Sequence, residues 1–278
     1  MPDGAGIAYR LWKPGAPRRL LALLHGVGSN MTRWSEFTMR TTLRDSWDLL
    51  RLDLRGHGLS LHRGRIGMAE WCADLAAILA AEGYSQAVIG GHCLGASIAA
   101  EFAVRRPGQT AGLILIEPVF RPALIGGMRH LARLRWLCIS LSRLVLALNT
   151  LGLHRRRLAP LDLEALDRET RARMAEIGSG EALARYASPL LDLRTTATAV
   201  YLQDLVALTG PTPELEAVRA PSLALLTPGG GFADPAVTTR AVERLAHVRA
   251  VRVQARHWIP TEQPESMREA IEGWCRAL

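Results

Sequence analysis

Six short apolar runs recur along this chain, and between them the apolar residues change to helical spacing. The runs are LLALLH (20–25), WDLLRLDL (47–54), QAVIG (86–90), GLILIE (112–117), LALLT (223–227) and VRAVRVQ (248–254). Over 67–82, Met68, Trp71, Cys72, Leu75, Ile78 and Leu79 fall three, four, seven, ten and eleven residues apart from the first, which is one face of a helix. Helical patterns also follow the third run to about 106, and lie near 235–246 and 264–277. Buried strands alternating with amphipathic helices predict an α/β fold, with a mostly parallel sheet covered on both faces. With 278 residues, 49% of them apolar, the chain can bury a full core, and disorder is excluded. Four cysteines in so long a chain make no disulfide scaffold. The first residues show no basic stretch leading into an apolar one, so a cytoplasmic setting with reduced thiols is expected.

The rhythm breaks over 121–212, which reads as helical and interrupted by Gly and Pro. Such an insertion is expected to cover the C-terminal edge of the sheet, where open α/β sheets bind ligands. This gives a core of 1–120 and 213–278 and a helical cap of 121–212. The net charge of +8 is concentrated here: residues 121–160 hold eight Arg and no acid, and the remainder is neutral. A general nucleic-acid-binding surface is therefore not expected. Trp136–Leu153 is nearly apolar, yet Arg143 within it costs about 2.5–3.5 kcal/mol in a bilayer centre, which favours a buried or interfacial helix over a span. Leu131, Leu134, Cys138, Leu141, Val145 and Leu148 form the apolar stripe expected of it. The Arg suit three roles: a solvated face, guidance of an anionic substrate, or contact with an anionic membrane surface.

The chemistry centres on Gly91–His92–Cys93–Leu94–Gly95, between the run 86–90 and a helix. A sharp strand-to-helix turn projects the central side chain alone, and glycine on either side lets the neighbouring backbones approach. The helix N-terminus beneath favours negative charge and offers a backbone N–H to a developing oxyanion. Cys72, Cys138 and Cys275 lack this context and read as buried structural thiols.

With His25–Gly26 after the first run and Asp53–Leu54–Arg55–Gly56–His57–Gly58 after the second, the chain resembles the α/β-hydrolase superfamily over nearly its whole length. The resemblance implies the α/β-hydrolase fold with a helical cap inserted after the sixth strand. It implies Cys93 as nucleophile in the place of the usual serine, with oxyanion-hole N–H groups from Val27 and Leu94. It implies His257, in ARHWIPTEQPE, as the general base, and Asp234, ahead of a helix in TPGGGFADPAV, as the acid. Glu117, at the end of a strand, is the alternative acid. His25, His92, Arg55 and His57 are expected to brace turns.

Thiolate attack suits a carboxylic ester, lactone or thioester, through a covalent acyl-enzyme. Relatives in the superfamily with a cysteine nucleophile include dienelactone hydrolases and polyhydroxyalkanoate synthases. Three readings follow: a hydrolase of such a small-molecule acyl substrate, an acyltransferase using the same intermediate, or a non-catalytic binder. No zinc-ligand spacing or dinucleotide fingerprint occurs, so neither metal nor cofactor is expected. Gly229–Gly230–Gly231 lacks the Lys of a phosphate loop and reads as a plain loop.

Overall fold

The structure, a computed structural model, describes residues 1, 3–229 and 231–278, with the side chains of Arg185 and Ala187 outside the description. Gly230, the centre of the glycine run, lies outside the described residues. Seven strands form one sheet: β1 (Tyr9–Trp12), β2 (Arg19–Leu24), β3 (Trp47–Leu52), β4 (Ala87–His92), β5 (Thr110–Ile116), β6 (Ser222–Leu226) and β7 (Val248–Arg252). Their spatial order is β1-β3-β2-β4-β5-β6-β7, parallel throughout except that β1 runs antiparallel to β3. The six apolar runs became β2 to β7. The edge strand β1, with alternate residues exposed, carries too weak an apolar signal to be read in advance.

Side chains on successive strand positions point to opposite faces, so each central strand feeds two cores. Leu20, Ala22 and Leu24 of β2 join Ile89, Leu113 and Leu115 on one face. There they pack under α2 (Met68–Ala81) and α3 (Leu94–Arg105), following a short helix α1 (Ser35–Arg40) that sits on the other face. Leu21, Leu23, Val88, Ile114, Leu223 and Leu225 face that second core. Burial on both faces explains why β2 to β6 read as continuous apolar runs, whereas the edge strand β7, VRAVR, leaves its Arg exposed.

Between β5 and β6 the described residues contain no strand. They form α4 (Gly126–Arg133), α5 (Arg135–Thr150), α6 (Leu163–Ile177), α7 (Ser179–Ala182), α8 (Pro189–Thr195) and α9 (Thr198–Leu208). The chain then closes with α10 (Pro235–Val242), α11 (Ile259–Glu262) and α12 (Pro264–Ala277). The helical segment leaves the sheet after its fifth strand, not after a sixth as the resemblance implied. Among the described residues, β1 is the one strand that precedes β2.

The long apolar stretch forms α5, with Cys138 and Ser142 buried. It is a surface helix rather than a buried one. The exposed apolar residues are Leu134, Trp136, Leu137, Leu141 and Leu144, while Cys138 and Val145 of the expected stripe turn inward. α5 packs on α9, and Arg135 Nε donates to Val206 O at 3.1 Å. No helix of the described residues is long and apolar enough to cross a membrane.

Candidate active site

The C-terminal ends of β2, β4, β5 and β7 converge on one point, as parallel sheets of this kind arrange their ligand crevices. β4 runs into α3 through Cys93, whose φ of 55° lies in the left-handed region that non-glycine residues rarely enter. The flanking glycines are sterically required. A Cβ on Gly91 would lie 2.2 Å from the backbone of Gly95, and one on Gly95 would lie 2.4 Å from Leu24 O. Cys93 is 8% exposed and lines a cavity of about 550 Å³. Cys72, Cys138 and Cys275 are also free and buried, and burial raises their thiols, Cys72 and Cys275 to about 12.

Val27 and Leu94 are the residues that the resemblance implies as oxyanion donors, and Val27 lines the cavity. Val27 follows Gly26 in the turn after β2, and Leu94 is the first residue of α3. Among the described residues neither backbone N–H donates a hydrogen bond to protein. His25 shapes this turn. Its Nε2 accepts from Leu54 N–H at 3.0 Å, so its Nδ1 carries the proton donated to Gly26 O at 2.8 Å. Burial first, and the charge of His57 next, hold its pKa well below the usual histidine range.

His257 lies in the loop after β7 and is fully enclosed, beside Phe232 at 4.9 Å and Trp258 at 5.4 Å between ring centroids. It lines the cavity together with Cys93, and its Nδ1 stands 3.4 Å from Glu117 Oε2. Burial opposes the imidazolium. The neighbouring Cys93 side chain, and then Glu117, outweigh it and raise the His257 pKa to about 9.

The acid facing His257 is therefore Glu117, the alternative, rather than Asp234. Glu117 follows β5 with φ 46°, and with Cys93 it is one of two described non-glycine residues at positive φ. Its Oε1 accepts from Thr227 N–H at 2.6 Å, leaving Oε2 for the imidazole. Asp234 Oδ1 instead accepts from the N–H groups of Ala236 and Val237 at 2.9 and 3.0 Å, as the N-cap of α10. An Asp before a Pro at the first helical position is a capping signal, and the helix uses that carboxylate.

Three further residues hold the site: His92, expected only to brace a turn, and Glu262 and Asp204, which escaped the sequence reading. His92 Nε2 donates to the His257 carbonyl at 3.0 Å, so this neighbour of the nucleophile also anchors the histidine loop. The Glu262 carboxylate accepts from the N–H groups of Arg256, His257 and Trp258 at 3.0–3.2 Å. Its sequence proximity to His257 was the available hint. Asp204 of α9 meets His57 Nε2 at 2.9 Å with both side chains fully buried, tying the Asp53–Gly58 turn to the helical insertion. Arg55 is likewise structural, held by Asp74 and Asp3. No cluster of His, Cys, Asp and Glu suited to a metal occurs among the described residues.

The cavity above Cys93 is walled by Val119 and Phe232 from the core and by Leu166, Leu191, Tyr201, Leu205 and Leu208 from the insertion. Of the eight Arg in 121–160, none lines it.

Comparison with known proteins agrees with the fold. A crystal structure of a hydrolase from Pseudomonas aeruginosa PA01 superposes with a TM-score of 0.71 at 21% identity, covering 99% of this chain and 96% of that one. The enol-lactonase from Burkholderia xenovorans LB400 gives 0.69 at 17% identity, covering 99% and 98%. In sequence, the chain is 31% identical over 127 residues to human monoglyceride lipase, covering 42% of this chain and 41% of that protein. It is 32% identical over 110 residues to lipase LipV of Mycobacterium tuberculosis, covering 38% and 39%. It is 30% identical over 118 residues to the dihydrolipoyllysine-residue acetyltransferase component of the acetoin cleaving system of Cupriavidus necator, covering 42% and 31%. The matches thus span between 28% and 41% of the length of the curated relatives. The model of the family described as serine aminopeptidase, S33, matches residues 15–263, so this chain, with cysteine at the elbow, belongs to that family of α/β hydrolases.

Proposed function

We propose that the protein hydrolyses carboxylic esters with an apolar acyl group, through an acyl-enzyme on Cys93. The observation that carries this reading is the joint placement of Cys93, His257 and Glu117 on three strand ends beneath a mostly apolar cavity. The thiolate of Cys93 attacks the ester carbonyl, and the oxyanion develops toward the Val27 and Leu94 N–H groups. The imidazolium of His257 gives its proton to the departing alkoxide. Neutral His257 then takes a proton from water, whose oxygen attacks the thioester carbon; the acid leaves and Cys93 regains its thiolate beside the imidazolium. Glu117 orients the ring and stabilises its charge. Lactones and thioesters pass through the same intermediate, so the leaving group has to be found by assay.

The test is a panel of p-nitrophenyl esters of increasing chain length, a lactone and an acyl thioester, with intact-protein mass spectrometry during turnover. A mass increase equal to the acyl group, absent in Cys93→Ala, is expected, and Cys93→Ala should lose at least about 10³-fold in kcat. Iodoacetamide should block activity in step with labelling of Cys93, which lines the cavity, ahead of Cys72, Cys138 and Cys275, which do not. Full activity in Cys93→Ala would refute the reading.

A further inference from the structure

We infer that α5 and the segments that bracket it form a docking surface for an anionic lipid bilayer. Leu134, Leu137, Leu141, Leu144, Leu148 and Leu151 recur at alternating intervals of three and four residues, so they share one stripe along the helix. The stripe is not spent on the protein's own core. Leu141 is 48% exposed, Leu144 57% and Leu151 74%, and Trp136 close by is 62% exposed. The inward side of the helix is a different one, where Cys138 and Ser142 are buried. Apolar patches of this extent mark an interaction site rather than ordinary surface.

Charge selects the occupant. Arg129 and Arg133 precede the helix, Arg143 lies within it, and Arg155, Arg156 and Arg157 follow it. None of the eight Arg of 121–160 forms an ion pair among the described residues, and the segment has no acid. A second copy packed symmetrically on this face would set one uncompensated cationic segment against another. An anionic bilayer satisfies both halves of the surface, with Leu and Trp entering the acyl boundary and guanidinium groups at the headgroups. The absence of a helix able to span among the described residues is consistent with a helix that lies on the surface. The segment after α5 is tied to an element that lines the cavity. Arg155 donates to Thr196 O at 3.1 Å and to Leu193 O, joining the end of α5 to α8. There Leu190 is exposed, and Leu191 is both exposed and part of the cavity wall.

The experiment is co-sedimentation of the full chain with vesicles of phosphatidylcholine alone and of phosphatidylcholine with about a third phosphatidylglycerol, at low and high salt. It does not depend on turnover, and Cys93→Ala should bind like the wild type, which separates this inference from the catalytic one. Binding to the anionic vesicles, weakened by salt, is expected. Replacing Leu137, Leu141 and Leu144 together by Ser should weaken it on the order of a hundredfold. Replacing Arg133, Arg156 and Arg157 together by Ser should do so by a similar factor. Both variants should keep the wild-type rate on a water-soluble ester, since none of the six residues touches the cavity. Brominated lipid should quench wild-type fluorescence more than that of Trp136→Phe. Absence of binding to the anionic vesicles, or binding that neither triple variant weakens, overturns the proposal. A lipid-free dimer that the Leu variant dissociates, without vesicle binding, assigns the face to a second copy instead.

Discussion

Cys93 and Glu117 share an uncommon property: both hold an L side chain in the left-handed backbone region, and both stand at the site. Such conformations cost of order 1–3 kcal/mol and persist only where the surroundings enforce them. Here β4, β5 and β6 enforce them, through Cys93 N–H to Ile116 O at 3.0 Å and Glu117 N–H to Leu225 O at 2.9 Å. The two acids of the sequence reading can be separated at this scale. Glu117→Gln removes a negative charge that supports the His257 imidazolium, so kcat should fall roughly 10²–10⁴-fold. Asp234→Asn should leave kcat within about twofold, because its carboxylate caps α10 rather than facing His257. Acylation needs the proton on His257, so kcat/KM of the wild type should fall as pH rises through about 9. In Glu117→Gln that limb should move to lower pH, since one of the groups raising the pKa is gone. A pH–rate profile of the three proteins reads both effects, and an unshifted limb in Glu117→Gln would contradict the assignment.

At the scale of elements, α10 explains what the acid of the second half does. Its first turn has Pro235 at N1, and the Asp234 carboxylate satisfies two N–H groups that the helix leaves unpaired. Asp234→Ala should therefore cost about 1 kcal/mol of folding stability, measured by urea titration, with kcat unchanged. A large fall in kcat at unchanged stability would instead restore Asp234 to the catalytic set. The loop carrying His257 follows the same logic. Its three successive N–H groups converge on Glu262, a residue of α11, so a four-residue helix fixes the histidine. In α5 the elements decide otherwise. α9 takes one side of the helix, and the leucine stripe next to it has no protein neighbour large enough to cover it.

For the whole molecule, the helical insertion is fastened to the sheet core by buried polar groups. Arg33 donates to Asp167 of α6 at 2.6 and 2.7 Å and to Thr261 Oγ1 at 2.6 Å. His57 meets Asp204, and Gln203 Oε1 accepts from Ile66 N–H at 2.9 Å. Buried pairs of this kind add little net stability but are costly to break singly, so they define one seating of the insertion. Asp192 breaks the pattern. Its carboxyl lies against Gly28, where a Cβ would meet Oδ1 at 2.4 Å, and it has no ion-pair partner among the described residues. Burial, and then the charge of Asp204, raise its pKa from 3.8 to about 7. A carboxyl whose folded pKa is raised gives up stability as pH climbs from the unfolded to the folded value. Asp192→Asn should therefore melt progressively higher than the wild type between pH about 4 and about 7, with a constant gap above. A gap that does not change with pH would show that this carboxyl keeps its ordinary pKa.

The sequence by itself determined the class of fold, six of the seven strands, the elbow at Cys93 and the loop of His257. These are local signals: a strand buried on both faces must be continuously apolar, and a strand-to-helix turn this tight excludes side chains at Gly91 and Gly95. The choice between Glu117 and Asp234 was not local, because both acids end a β-strand region or start a helix in ways a catalytic acid also does. Only the register of β5, β6 and β7 decided it, by bringing Glu117 to the imidazole and leaving Asp234 to its own helix. Likewise the apolar period of α5 was legible, but which side met α9 and which stayed open depended on a helix some fifty residues later in the chain. Spacing encodes which residues share a face. What that face meets is set by tertiary packing.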